Sequence, residues 1–131
     1  MVQVKSLFHA TLPVFDLERA ETFYREVLGI GRHKTPSYIP ERVVFLDVGN
    51  TMIHLVRYKD EFSRGDYQAH HLAIEVDDLE GALERVKASG ARVLNEFVDR
   101  PDMRCFNFLD TEGNRVEIME FKKDLRSTAP A

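Results

Sequence analysis

The sequence predicts an α+β fold in which one unit, a strand followed by a helix and three more strands, is used twice. Residues 9–20, "HATLPVFDLERA", and residues 71–82, "HLAIEVDDLEGA", match at six of twelve positions at a fixed offset of 62, the mark of an internal repeat. In each half a helix-period segment precedes runs of alternating β-branched and aromatic residues.

Taken in order, "HATLPV" alternates and reads as the first strand. Asp16 is a good N-cap, because its carboxylate can accept an orphan backbone N–H. Leu17, Ala20, Phe23, Val27 and Leu28 then line one helical face before Gly29 stops it. "IGRHKTPSYI" is a weak strand candidate, broken by Pro36, and "RVVFLDV" and "TMIHLVRY" are strong ones. The second copy opens with "HLAIEV". Asp78 caps a helix carrying Leu79, Ala82, Leu83 and Val86, Gly90 ends it, and "ARVLNEFV", "RCFNFL" and "NRVEIMEF" follow. Module one spans about residues 1–58 and module two about 69–121 of a single domain, joined by the charged linker "KDEFSRGDYQ" and followed by a polar tail over 122–131.

Composition narrows the function. With 18 basic and 22 acidic residues interspersed, net charge −4, the chain has no basic stripe of the kind a nucleic-acid partner requires. No apolar run approaches the ~20 residues of a membrane span, and the first residues lack the apolar core of a signal peptide, so a cytoplasmic protein is expected. The single cysteine, Cys105, excludes an internal disulfide and a thiolate zinc cluster within one chain. Any metal must therefore use histidine and carboxylate.

Strand alternation says where these side chains point. With Leu12 and Val14, or Leu72, Ile74 and Val76, directed at the helices, His9 and His71 fall on the opposite, open face. In the last strands the same division puts His54 beside Met52, and Glu117 beside Arg115 and Met119. His54 and Glu117 are 63 apart, against 62 for His9 and His71, a slip that one loop residue absorbs. If a pseudo-two-fold axis relates the modules, all four converge on one site. Three imidazoles and a carboxylate suit one borderline divalent ion, Zn, Ni, Co, Mn or Fe, acting as a Lewis acid on a substrate oxygen. Taken alone, a strand histidine such as His9 is more often a hydrogen-bonded structural residue, and it is the repeat that lifts this pair above that reading. Phe45, Met52, Arg104, Phe106, Phe108, Arg115 and Met119 are read as the wall of a small-molecule pocket on the open face, with Cys105 on the helix side. His33 and His70 are read as surface or supporting residues, and "KTPSYIPER" as a loop or a lid over the pocket.

Through "HATLPVFDLERAETFYREVLGI", "HHLAIEVDDLEGALERVKASGARV" and "FNFLDTEGNRVEIME", nearly the whole chain resembles the vicinal oxygen chelate superfamily. That superfamily includes glyoxalase I, fosfomycin-resistance proteins, methylmalonyl-CoA epimerase and extradiol dioxygenases. The resemblance implies two βαβββ modules forming a half-open barrel around a divalent metal, commonly in a homodimer, with His9, His54, His71 and Glu117 at the ligand positions. It implies a glyoxalase-I-like lyase or isomerase working through an enolate-type intermediate, with Glu117 and His54 as the catalytic groups. His54 stands where bacterial-type glyoxalase I has glutamate. Two alternatives remain. One is an iron(II) extradiol-type dioxygenase, with His9, His71 and Glu117 as its triad and His54 as acid/base, although Asn107 stands where a tyrosine is expected. The other is a non-catalytic small-molecule binding protein of the bleomycin-resistance kind.

Overall fold

The computed structural model describes residues 3, 7–58 and 71–122, and the chain divides into two compact units, Met1–Phe62 and Ser63–Ala131. The linker at 59–68, His70 and all of the tail beyond residue 122 lie outside the described residues. Unit one runs β1 (His9–Val14), α1 (Leu17–Glu26), β2 (Gly31–Arg32), β3 (Val43–Val48) and β4 (Thr51–Arg57). Unit two repeats the order with β5 (His71–Glu75), α2 (Leu79–Ala88), β6 (Arg92–Asp99), β7 (Met103–Leu109) and β8 (Arg115–Phe121).

Both helices begin as their caps dictate: the Asp16 carboxylate accepts from the Arg19 N–H and the Asp78 carboxylate from the Gly81 N–H, each at 3.0 Å. Helix α1 ends at Glu26, two residues short of its apolar pattern, and the chain leaves through Gly29 at φ 69°, a left-handed conformation that favours glycine. The weak strand candidate contracts to β2, two residues long, because Pro36 and Pro40 remove the N–H donors a longer ladder needs.

Each unit is a four-stranded mixed sheet of the same topology, β1-β4-β3-β2 and β5-β8-β7-β6. First and last strands pair in parallel, and the remaining pairs are antiparallel. Register fixes the correspondence between units: His9 lies opposite Met52, and His71 opposite Arg115. The loop closing the Leu109–Arg115 pair is one residue longer than that closing Asp47–Met52, which accounts for the offset of 63. In the longer loop Asp110 accepts from the N–H groups of Glu112 and Asn114, both at 2.8 Å.

One face of each sheet packs on its own helix. In unit one Leu12, Val14, Val44, Leu46, Ile53 and Leu55 are buried, as are Ala20, Phe23 and Tyr24 of α1. In unit two Phe106, Phe108, Val116 and Ile118 are buried, as are Leu79, Leu83 and Val86 of α2. Phe106 and Phe108 lie opposite Ile118 and Val116, so both phenyl rings face the helix and not the open face expected of them. Arg104, opposite Glu120, shares their side. Fully burying a side chain of this kind contributes about 1.5–3 kcal/mol, and the two rings, fully buried, take the helix side while Cys105 and Asn107 alternate to the other face. Phe108→Ala is therefore expected to cost about 3–5 kcal/mol, as core truncation and not as loss of a pocket wall; a change under about 1 kcal/mol in urea denaturation would contradict the placement.

Candidate functional site

The open face of unit one is a row of rings. His54 on β4 lies opposite Phe45 on β3 and Thr11 on β1. Its imidazole stacks on Phe45 at a centroid distance of 3.7 Å and 5°, and His9 stacks on it at 3.7 Å and 12°. Phe8 sets its edge toward both imidazoles, at 5.5 Å and 6.5 Å. Met52, opposite His9, is buried, as are Phe45 and His54.

Burial, then the neighbouring His9 and His33, push the pKa of His54 below its ordinary value of 6.5, so this ring is a neutral imidazole at neutral pH. The Nδ1 of His9 and the Nε2 of His54 are buried without a hydrogen-bond partner. An orphaned buried polar atom costs about 1–3 kcal/mol, and a neutral imidazole nitrogen is the commonest protein ligand for a borderline metal. Neutral His54 and the two orphaned ring nitrogens thus leave unmet bonding capacity of the kind a divalent ion fills.

Unit two places His71 and Glu117 on its own open face. Glu117 lies between Ala73 on β5 and Asn107 on β7, and His71 lies one step along the same ladder, opposite Arg115. Arg115 donates from Nε to the Oδ1 of Asn107 at 2.8 Å, and Asn107 is 4% exposed. Met119 also lies on this face. Among the described residues no three His, Cys, Asp or Glu side chains gather about one point.

The remaining expected site residues separate cleanly. Phe45, Met52, Arg115 and Met119 lie on open faces, whereas Phe106 and Phe108 line the helix side. Arg104 leaves the site as well: its Nη2 donates to Glu80 of α2 at 2.6 Å and to Glu120 at 3.2 Å, and its guanidinium covers Phe97 at 5.1 Å. These bonds hold Glu80 below the usual carboxylate range and tie α2 to the sheet. Cys105 moves the opposite way. It lies across from Met119 on the Glu117 face, where burial first and the Glu117 charge second push its thiol up, so it stays protonated and is a poor nucleophile.

Two polar pairs escape a reading by residue type. His33 Nδ1 lies 2.8 Å from Asp47 Oδ1, with the His33 N–H bonded to the Phe45 carbonyl at 2.8 Å; this pair stands at the far end of the ring row. Asn107 and Arg115 form the other. Asp47 follows Phe45 by two residues, so alternation along β3 already places it on the open face. Asn107 becomes visible there only once the phenyl rings on either side are assigned inward.

The chain is similar to known proteins. The family model described as Glyoxalase/Bleomycin resistance protein/Dioxygenase superfamily matches residues 6–118. The lactoylglutathione lyase of Neisseria meningitidis serogroup A is 34% identical over 127 residues, covering 82% of this chain and 91% of the relative. The mitochondrial methylmalonyl-CoA epimerase of Bos taurus is 35% identical over 103 residues, 69% of this chain and 57% of the epimerase, so the match spans little over half of that relative's length. A glyoxalase family protein from Bacillus anthracis has the same fold, with a TM-score of 0.78 at 24% identity over 93% of this chain and 99% of its own.

Because the folded pKa of His54 lies below the unfolded one, the unfolded chain binds the proton more readily. The resulting stability is fully present above about pH 6.5 and is lost as pH falls through the lowered folded value. In metal-free protein the urea midpoint is expected to fall as pH drops below about 6.5, and His54→Gln is expected to flatten that fall. Parallel pH dependence in the two proteins would rule out His54 as its source.

Proposed function

Because the chain belongs to the Glyoxalase/Bleomycin resistance protein/Dioxygenase superfamily, we propose that it is a divalent-metal-dependent enzyme of the glyoxalase type, moving a proton on a small oxygen-chelating substrate. The observation that carries this reading is the pair of orphaned buried imidazole nitrogens on His9 and His54, set at the positions that register matches to His71 and Glu117. These four side chains are the proposed ligands, meeting within one chain or across a homodimer. A divalent ion held by them would polarise a substrate carbonyl as a Lewis acid.

The remaining chemistry belongs to the chain. Glu117 is the proposed base, and neutral His54 serves either as a ligand or as a second group able to accept a proton. The base takes the proton from the carbon beside the carbonyl, the C–H electron pair moves onto the carbonyl oxygen as an enolate, and the proton returns to carbon. Phe45 and Met52 on the open face of unit one, and Met119 and Arg115 on that of unit two, are the proposed substrate-facing residues, the apolar ones limiting access of water and Arg115 supplying positive charge.

The names of the relatives suggest a substrate type. Lactoylglutathione and methylmalonyl-CoA are both acyl thioesters whose α-carbon bears a hydrogen and a second oxygen-bearing group, which with the thioester carbonyl can chelate one ion. Acyl thioesters of that kind are the first substrates to try.

Untagged protein purified anaerobically should contain close to one divalent metal per site by elemental analysis. His71→Ala and Glu117→Ala should each weaken metal affinity by more than about a hundredfold, beyond the 10–100-fold that a merely supporting residue costs; near-native affinity in both variants would sink the site. With metal bound, deuterium from D₂O should enter the α-carbon of S-lactoylglutathione or methylmalonyl-CoA. Bound iron with oxygen uptake and no exchange would favour the dioxygenase reading. Failure to restore any metal would favour a binding protein.

A further inference from the structure

The pair that His33 makes with Asp47 is not part of what the two units share. Asp47 is the β3 partner of Met52, the residue opposite His9, and its place in unit two is taken by Leu109, the partner of Arg115 opposite His71. His33 bonds through its backbone N–H to Phe45, the cross-strand partner of His54. Its counterpart, beside Asn107 and so in the row of Glu117, is Asn95. A leucine and an amide complete the same region of the sheet without an ion pair, so the fold does not require one there. With side chains 45% and 50% exposed, the His33–Asp47 pair also adds little to stability, because water screens ion pairs at the surface.

What the pair does is fix the chemistry of a histidine. Asp47 Oδ1 lies 2.8 Å from His33 Nδ1, and a carboxylate oxygen accepts, so the bonded hydrogen is on Nδ1 and Nε2 is the nitrogen left to exchange a proton. The 2.8 Å backbone bond from His33 to the Phe45 carbonyl anchors the residue from the other side. An imidazole oriented by a third group in this way is the arrangement that proton-transfer sites use. Its position serves the same end. The His33 ring lies 6.5 Å from that of Phe45, and Phe45 stacks on His54 at 3.7 Å, so a small substrate held at the His54 imidazole is within reach of His33. The two imidazoles also sense each other: after burial and His9, His33 is the third cause of the lowered pKa of His54.

We propose that His33, oriented by Asp47, is a further catalytic acid–base of the site, acting on the oxygen of the substrate while Glu117 acts on its carbon. This deepens, and rests on, the metal-enzyme reading above. Once Glu117 has taken the proton from carbon, protonated His33 gives its Nε2 hydrogen to the enolate oxygen. The O–H bond forms as the N–H bond breaks, the N–H electron pair stays on nitrogen, and the enolate is carried forward as a neutral enol. When carbon regains its proton, the enol returns its own to Nε2 and the carbonyl is restored. His33 contacts the substrate; Asp47 is a positioning residue that holds Nδ1 and stabilises the imidazolium.

The test is α-proton exchange from D₂O in metal-loaded protein, with S-lactoylglutathione and methylmalonyl-CoA as probes and metal content recorded for every variant. His33→Ala is expected to lower kcat for exchange by about 10²–10⁴-fold, the contribution of a positioned acid–base, with KM within about threefold and metal content unchanged. Imidazole added to this variant is expected to restore part of the rate, which a merely structural role would not allow. Asp47→Asn gives Nδ1 a donor in place of an acceptor and so turns the ring to the wrong tautomer; it is expected to lower kcat at least about tenfold with KM and the urea midpoint unchanged. Exchange in His33→Ala within about twofold of wild type, or a change confined to KM, would overturn the role of His33. A wild-type protein that holds metal but exchanges neither thioester would count against the proposed reaction, and acetohydroxamate, an unreactive chelator with two oxygens, then decides the dyad. With zinc bound, saturating acetohydroxamate is expected to move the NMR resonance of His33 Nε2, and an unmoved resonance would overturn the proposal. A wild-type protein that takes up no metal would overturn the metal reading and the role of His33 with it.

Discussion

Parallel pairing between the first and last strands of each unit, β1 with β4 and β5 with β8, is the constraint on which the rest of the chemistry depends. Parallel neighbours cannot be joined by a tight turn and need a crossover, so the helix and the two intervening strands of each module are the connection this pairing requires. The pairing sets His9 in the ladder beside residues of the 52–54 segment, and His71 beside those of 115–117. A shift of one residue in either ladder would turn His54 or Glu117 toward its helix, because strand side chains alternate between faces. The apolar back faces oppose such a shift: Leu12, Val14, Ile53 and Leu55 in unit one, and Val116 and Ile118 in unit two, are held inward by burial. Packing on one side of each sheet thereby holds the chemistry on the other.

Within that common frame the two units have taken different characters. Unit one stacks its imidazoles with Phe45 and buries His54, so His54 stays neutral, and one nitrogen on each ring lacks a partner. That arrangement is expensive for a fold and useful for binding a cation. Unit two is more polar, with Glu117 set between Ala73 and Asn107 and the Asn107 amide bonded to Arg115. A carboxylate, an amide and a cation together handle charge in a way the ring row does not.

The chemistry on the helix side of unit two is structural. Arg104 uses both carboxylates within reach, Glu80 and Glu120, together with the face of Phe97, and so clamps α2 onto β7 and β8. Its removal from the site leaves Arg115 as the cation on the open face of unit two among the residues expected to line the pocket.

Much of this was legible in the sequence. The repeat at offset 62, the capping aspartates Asp16 and Asp78 and the glycine stops are local signals whose physics acts within a few residues, so the element order and both helix starts followed from them directly. The open-face positions of His9, His54, His71 and Glu117 followed too, because in their strands the polar residues alternate with unambiguous apolar ones. In "RCFNFL" alternation gives two faces but not which one is inward, since Cys105 and the phenylalanines are all compatible with burial. Only the register of β7 against β8 resolved it, sending Phe106, Phe108 and Arg104 to the helix and Cys105 and Asn107 to the other side. The diagonal reach of Arg115 to Asn107 and the stacking of His9, His54 and Phe45 likewise belong to the tertiary structure, because each depends on side chains brought together across strands by hydrogen-bonded ladders and not on neighbours along the chain.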